Sequence, residues 1–118
     1  MHEVSIVQAL VEQVEAEVRN SGCRGRVLGL DLVIGRLSGV HADSIRFAFE
    51  LLAPGTILAE AQLRITEPPA ELVCAACGAR TPIEDLSSQC PQCNSVQVRI
   101  EGGRDLLLQS IELEEPGG

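Results

Sequence analysis

Four cysteines, Cys74, Cys77, Cys90 and Cys93, form two Cys-x2-Cys pairs separated by residues 78–89, and they constrain this chain more than any other feature. A Cys-x2-Cys turn presents two sulfurs to one point, and two such turns make the four-coordinate thiolate shell that Zn2+ prefers. The segments 74-CAACG-78 and 90-CPQCN-94 therefore read as zinc knuckles. Gly78 and Asn94 fall where the chain must tighten after the second sulfur, and both residue types tolerate positive φ. No histidine lies near the module, so the four thiolates are the whole ligand set. The site reads as closed and structural, because a catalytic zinc keeps one position for water. A disulfide scaffold would need an oxidising compartment, and the N-terminal residues show no secretory h-region or cleavage pattern. Iron is the other metal four thiolates can hold, and Cys90-Pro91-x-Cys93 is a rubredoxin-like turn. The absence of Trp and Tyr argues against it. Cys23, with no local partner, reads as an ordinary reduced thiol.

At 118 residues the chain is one small domain, or one domain carrying a small module. Its 45% hydrophobic content excludes disorder, and its apolar runs are too short to span a membrane. The formal charge is −8, from 17 acidic against 9 basic residues. Four zinc-bound thiolates would add about −2 once the metal is included. That balance argues against nucleic acid as partner, since phosphate binding needs clustered basic residues. With two Phe as the sole aromatics, base stacking has little to work with. An acidic surface of this kind fits a cytoplasmic protein that handles cations or docks on proteins.

Val4, Val7, Val11, Val14 and Val18 recur at helical spacing, widened by Ile6 and Leu10, and predict a core-facing helix over 4–19 that ends at Asn20-Ser21-Gly22. Residues 27–34 read as a strand with Leu28, Leu30, Leu32 and Ile34 on one face. A second helix is expected from Asp43 or Ser44 to Leu52, with Ile45, Phe49 and Leu52 inward, stopped by Pro54-Gly55. The alternation of Ile57, Ala59, Ala61, Leu63 and Ile65 predicts a strand over 57–65. Further strands are expected at 96–100, closing the cysteine module, and at 106–113. A two-stranded sheet is hard to stabilise, so 106–113 is expected to return beside 57–65. The result is an α+β fold: a three-stranded sheet packed by two helices, with an inserted four-cysteine zinc-ribbon module. The expected domains are residues 1–67 plus 104–118, and residues 68–103, joined by tethers at 67–72 and 101–105.

Met1-His2-Glu3 suggests a second metal site. Histidine at position two predicts that Met1 is retained. The Met1 amine, the His2 amide and imidazole, and the Glu3 amide can close common chelate rings. Planar strong-field nitrogen donors of this kind select Ni2+ or Cu2+. The residues also lead into a helix, whose first amides lack an intrahelical acceptor and can deprotonate without breaking it. Taken alone, an uncoordinated, exposed His2 accounts for the same residues. His41, in the Gly39–Asp43 turn, reads as a surface or capping residue.

These features occur together in one order: Met1-His2-Glu3; Gly35-x-x-Ser38-Gly39-Val40 before a helix containing Arg46-Phe47-Ala48-Phe49-Glu50; the two cysteine pairs; and Ser110-Ile111-Glu112-Leu113-Glu114. In this the chain resembles the HypA/HybF nickel chaperones of [NiFe]-hydrogenase maturation over nearly its whole length. The resemblance implies a protein that is not an enzyme. Its Ni(II) cargo would be bound weakly by Met1, His2 and Glu3, with His2 indispensable. Zn(II) would be held structurally by Cys74, Cys77, Cys90 and Cys93. The implied partners are a nickel-handling maturation GTPase and the [NiFe]-hydrogenase large subunit, with urease maturation served by some members. A monomer or weak homodimer is expected. Some relatives carry histidines beside the cysteine pairs; this chain has none, so no pH switch is expected there. The competing reading is a zinc-ribbon protein-interaction adaptor without a nickel role.

Overall fold

The valine spacing gives a first helix, α1 (His2–Ser21), in the computed structural model, which describes residues 2–22 and 25–114. Val7, Leu10, Val11, Val14 and Val18 form its buried stripe, and α1 packs on the second helix. Its last turn closes through Ser21 Oγ, which donates to the Val18 carbonyl at 2.8 Å, and Gly22 follows at φ 70°. Cys23 lies outside the described residues.

Strand β1 (Val27–Ile34) has the predicted limits. Leu30, Leu32 and Ile34 are buried as expected, but Leu28 is 37% exposed. Val27 turns inward in its place and lines a cleft with Val18. Helix α2 (Ala42–Leu52) buries Ala42, Ile45, Ala48 and Phe49, leaving Leu52 half-buried. His41 stands at its N-cap in extended conformation, yet its side chain makes no capping hydrogen bond.

The predicted strand over 57–65 is corrected: β2 covers only Gln62–Thr66. Thr56 is the reason. Its hydroxyl donates to the Ala53 carbonyl at 2.7 Å and accepts the Leu58 amide at 3.0 Å, folding the chain into turns. The bonds Ala59 N–Thr56 O (3.1 Å) and Ala61 N–Leu58 O (3.1 Å) continue them and turn Leu58, rather than Ile57 or Ala59, into the core.

Strand β6 (Leu106–Leu113) exists as expected, but beside a different neighbour. The sheet order is β2-β1-β6, so β6 pairs with β1. The Glu114 amide donates to Arg26 O (2.8 Å) and the Gly35 amide to Asp105 O (2.7 Å), at opposite ends, so the two strands are antiparallel. Eight-residue β1, the most buried strand of this sheet, takes the centre; β2, cut to five residues, takes an edge. Arg64 of β2 crosses this sheet, bonded to Asp31 of β1 (2.8 and 3.1 Å) and Glu112 of β6 (3.0 Å). Its guanidinium lies 2.6 Å from where a side chain on Gly29 would begin, so any larger residue there would push it out of its present place. The Arg64 bonds, followed by one from Ser110, hold the Asp31 carboxyl at about 2.

A second sheet, β3 (Ala70–Cys74), β4 (Arg80–Ile83) and β5 (Val98–Glu101), has the order β4-β3-β5 and is antiparallel throughout. The strand expected at 96–100 is β5, shifted by one or two residues. Neither β3 nor β4 follows from the sequence periodicity, and residues 70–72 are strand rather than tether.

The chain forms two compact units, residues 1–32, 41–65 and 107–118, and residues 33–40 with 66–106. Within the second, the segment 33–40 is tied by backbone bonds: Gly35 N to Asp105 O (2.7 Å), Arg36 N to Pro68 O (3.1 Å) and Leu37 N to Gly103 O (2.6 Å). Arg36 adds bonds from its side chain to the Glu67 carbonyl (3.0 Å) and Glu84 (2.7 Å). Among the described residues no helix is long and apolar enough to cross a membrane.

Candidate metal centre

The two knuckles are built to one plan. The Cys74 amide donates to Ala79 O (3.0 Å) and the Gly78 amide to Cys74 O (3.0 Å). In the second knuckle, Cys90 N donates to Ser95 O (2.9 Å) and Asn94 N to Cys90 O (2.8 Å). Closing each turn needs a left-handed residue after the second cysteine. Gly78 (φ 76°) and Asn94 (φ 63°) take those positions, as their spacing predicted, and Asn94 is the sole non-glycine residue with positive φ among those described. Amides also point at sulfur: Cys77 N to Cys74 Sγ and Gln92 N to Cys90 Sγ, both at 3.4 Å.

Together the knuckles bring all four sulfurs within 4.8 Å of one another. The cross-knuckle separations are 3.6 Å for Cys74–Cys93 and 3.7 Å for Cys77–Cys90. A tetrahedron with metal–sulfur bonds of about 2.3 Å has edges of about 3.8 Å. A disulfide requires about 2.05 Å. The donor set therefore fits a tetrahedral metal held by four sulfurs, and all four thiols are free. Cys74 and Cys90 are buried, Cys77 and Cys93 exposed.

The electrostatics of the cluster ask for a cation. The Cys77 amide, then the Ala76 amide, favours the Cys74 thiolate and holds it at about 6. The Ser95 amide favours a Cys93 thiolate, but desolvation and the bonds to Cys74, Cys77 and Cys90 outweigh it and carry that thiol to about 12. Cys77 is also raised: desolvation and its bonds to Cys74 and Cys90 outweigh the Ala79 amide. The protein alone favours the Cys74 thiolate and resists those of Cys77 and Cys93, and a divalent ion at the centre reverses that resistance.

The sheet supports this arrangement from both faces. Leu72, Cys74 and Cys90 form one buried cluster, with Ala79, Ile83 and Val98 against it. On strands β4 and β5, Arg80 bonds Glu71 (3.4 Å) and Glu101 (2.6 Å), and Arg99 bonds Glu101 (2.9 Å). Val73 pairs with both arginines. No periodicity or spacing announces these supporting residues, because they meet only once β3 lies between β4 and β5.

The other predicted site is placed in part. Met1 lies outside the described residues, as does the His2 side chain. The His2 backbone begins α1, and Glu3 sits half-buried in its first turn.

Comparison with known proteins follows the same chain order. Residues 1–113 match the family described as "Hydrogenase/urease nickel incorporation, metallochaperone, hypA". Hydrogenase maturation factor HypA of Chlorobaculum tepidum is 41% identical over 114 residues, covering 97% of this chain and 100% of the relative. The same factor of Chlorobium limicola is 40% identical over 115 residues, covering 98% of each. Among solved structures, the solution structure of the Ni metallochaperone HypA from Helicobacter pylori aligns with a TM-score of 0.64 at 24% identity, covering 97% of this chain and 98% of that one. A second HypA solution structure aligns with a TM-score of 0.68 at 25% identity, covering 98% of each.

Proposed function

The chain belongs to the HypA family of nickel-incorporation metallochaperones, and on that premise we propose that it carries Ni(II) on Met1, His2 and Glu3 and holds a structural Zn(II) on Cys74, Cys77, Cys90 and Cys93. It is a hydrogenase maturation factor rather than an enzyme, and its role is to present nickel for transfer. The observation carrying the site assignment is the division of metal chemistry along the chain. The thiolates are clustered, supported and closed. The N-terminal residues instead open a helix whose first amides have no intrahelical acceptor. A delivery site needs modest affinity and ligands a recipient can reach, and a chain end offers both. The Met1 amine, the amides of His2 and Glu3 and the His2 imidazole supply nitrogen donors of the kind that selects nickel. We assign the nickel role to residues 1–67 with 104–118 and the zinc role to the inserted 68–103, to which residues 33–40 add backbone bonds. Engagement with the maturation machinery follows from the family. Its direct partners are a nickel-handling GTPase and the [NiFe]-hydrogenase large subunit, with urease maturation proteins as a second clientele, and its setting is the cytoplasm.

The test is nickel titration by calorimetry and difference absorbance on tag-free, zinc-quantified protein. One nickel per chain is expected, with a planar-site band that His2→Ala abolishes while zinc content and melting stay unchanged. Stoichiometric nickel on the His2→Ala protein would remove the site. No nickel on folded, zinc-loaded protein would favour the zinc-ribbon adaptor.

A further inference from the structure

Strand β6 forms one edge of the first sheet, and a groove separates it from α1. The strand is eight residues long, Leu-Leu-Leu-Gln-Ser-Ile-Glu-Leu, with neither proline nor a basic residue to block pairing. Among the described residues no strand pairs with its outer side, so alternate backbone donors and acceptors are open to a further strand. Ser110 and Glu112 bond Asp31 and Arg64 on one face of the sheet. Side chains alternate along a strand, so Leu107, Gln109 and Ile111 share the other face, toward α1. Leu107 is 44% exposed there. The groove, about 300 Å³, is lined by Gln13 and Glu17 from the helix and by residues 108–111 from the strand. Glu17 is exposed, and among the described residues no cation pairs with it.

We propose that this edge and groove take an extended segment of another protein as an added strand, with apolar side chains over Leu107 and Ile111 and a lysine or arginine on Glu17. Main-chain bonds along β6 supply affinity without reading sequence, and the groove supplies the selection. Charge decides the class of occupant. A purely apolar strand would cover Glu17 without pairing it, which costs free energy rather than gaining it. An acidic one would meet Glu17 directly and the chain's net charge of −8 at longer range. Gln13 lies one turn before Glu17, and its amide oxygen can accept from the same cation. A second copy of β6 fits poorly, since it brings no basic residue and adds a glutamate. No nickel or zinc ligand takes part, so this surface and the metal assignments stand or fall separately.

The test titrates the zinc-loaded full chain, under reducing conditions, with a capped peptide of about nine residues. The probe alternates valine and threonine and carries lysine in place of the central valine. Calorimetry reads the affinity and amide hydrogen exchange reads the place. Amides of 107–112 should gain protection, and the same peptide with glutamate for lysine should bind about threefold to tenfold more weakly. Glu17→Lys should reverse that preference. Glu15→Lys makes the same change of charge about 200° around the helix and should leave the preference as it was. N-methylation of alternate peptide amides should abolish binding in one of its two phases and spare it in the other. No binding of the lysine peptide, or protection away from β6, overturns the proposal. So does a preference that survives Glu17→Lys or is reversed equally by Glu15→Lys, and so does binding indifferent to methylation. Protection of 107–112 that rises with protein concentration before any peptide is added would assign the edge to a second copy and overturn it too.

Discussion

Gly102 and Gly103 separate two costs that usually arrive together. Both have φ 71°, a conformation that L side chains rarely adopt. A Cβ on Gly102 would meet nothing within 4 Å. A Cβ on Gly103 would lie 2.7 Å from the Ala70 Cβ, 2.7 Å from its nitrogen and 2.8 Å from its Cα. Gly102→Ala should therefore cost only the left-handed backbone penalty, about 1–2 kcal/mol. Gly103→Ala should cost the same penalty plus an overpacking term of about 1–3 kcal/mol, for a total of about 2–5 kcal/mol. The obstruction is mostly backbone, so Ala70 cannot swing aside as a long side chain would. Retreat of Gly103 would also strain its 2.6 Å bond from the Leu37 amide. Removing the methyl with Ala70→Gly should restore part of the loss and no more, because the backbone of residue 70 still stands in the way. Denaturant unfolding of zinc-loaded protein, followed by hydrogen exchange in 70–74 and 98–101, gives the free-energy difference where it arises. Equal destabilisation by the two alanine variants would refute the steric argument, as would full rescue by Ala70→Gly.

Two further outcomes are expected. Cys74→Ala removes a proposed zinc ligand that is also a core residue, and structural zinc contributes about 10–16 kcal/mol in small sites. Zinc stoichiometry should fall and the 70–101 sheet should lose exchange protection; unchanged zinc and unchanged protection would refute a structural site. Asp31→Asn tests the sheet-crossing arginine. The Asp31 carboxyl is held at about 2, against about 3.9 in an unfolded chain. Its contribution is present above the unfolded value and is lost as pH falls from about 4 through about 2. Exchange protection of 27–34 should decline through that window in the native chain and be flatter in the variant; parallel profiles would contradict the assignment.

The features legible in the sequence were those whose causes are local. The knuckles, with Gly78 and Asn94 at positive φ, need only a few consecutive residues, and the valine stripe and strand 27–34 need only a period. The errors came where a local signal lost to a stronger one or was missing. Ile57-Leu58-Ala59-Glu60-Ala61 alternates like a strand, but Thr56 offers its backbone a turn, and hydroxyl bonds at 2.7 and 3.0 Å settle the competition. β3 and β4 are five and four residues long and acquire their order from pairing with each other and with β5. That β6 belongs beside β1 rather than β2 depends on which strand is buried on both sides, a property of the assembled sheet. The clustering of the four cysteines needed only spacing, whereas Arg80 and Arg99 at Glu101 emerge only from the register of three strands.

The backbone bonds from Gly35, Arg36 and Leu37 to Asp105, Pro68 and Gly103 also bear on how far the zinc-ribbon segment is modular. A peptide cut at 66 and 106 would retain all four cysteines but would leave four carbonyls, those of Glu67, Pro68, Gly103 and Asp105, without their donors from 35–37. Such a fragment would keep the four-cysteine cluster and still fray at both cut ends. The segment is therefore a poor candidate for grafting onto another scaffold or for exchange by recombination unless residues 33–40 travel with it. In folding, its completion waits on a loop closure of about 70 residues between Gly35 and the 103–105 segment, which raises its contact order above that of an autonomous ribbon. The two knuckles can close early, while the last turns of the ribbon are secured only when the upstream segment docks.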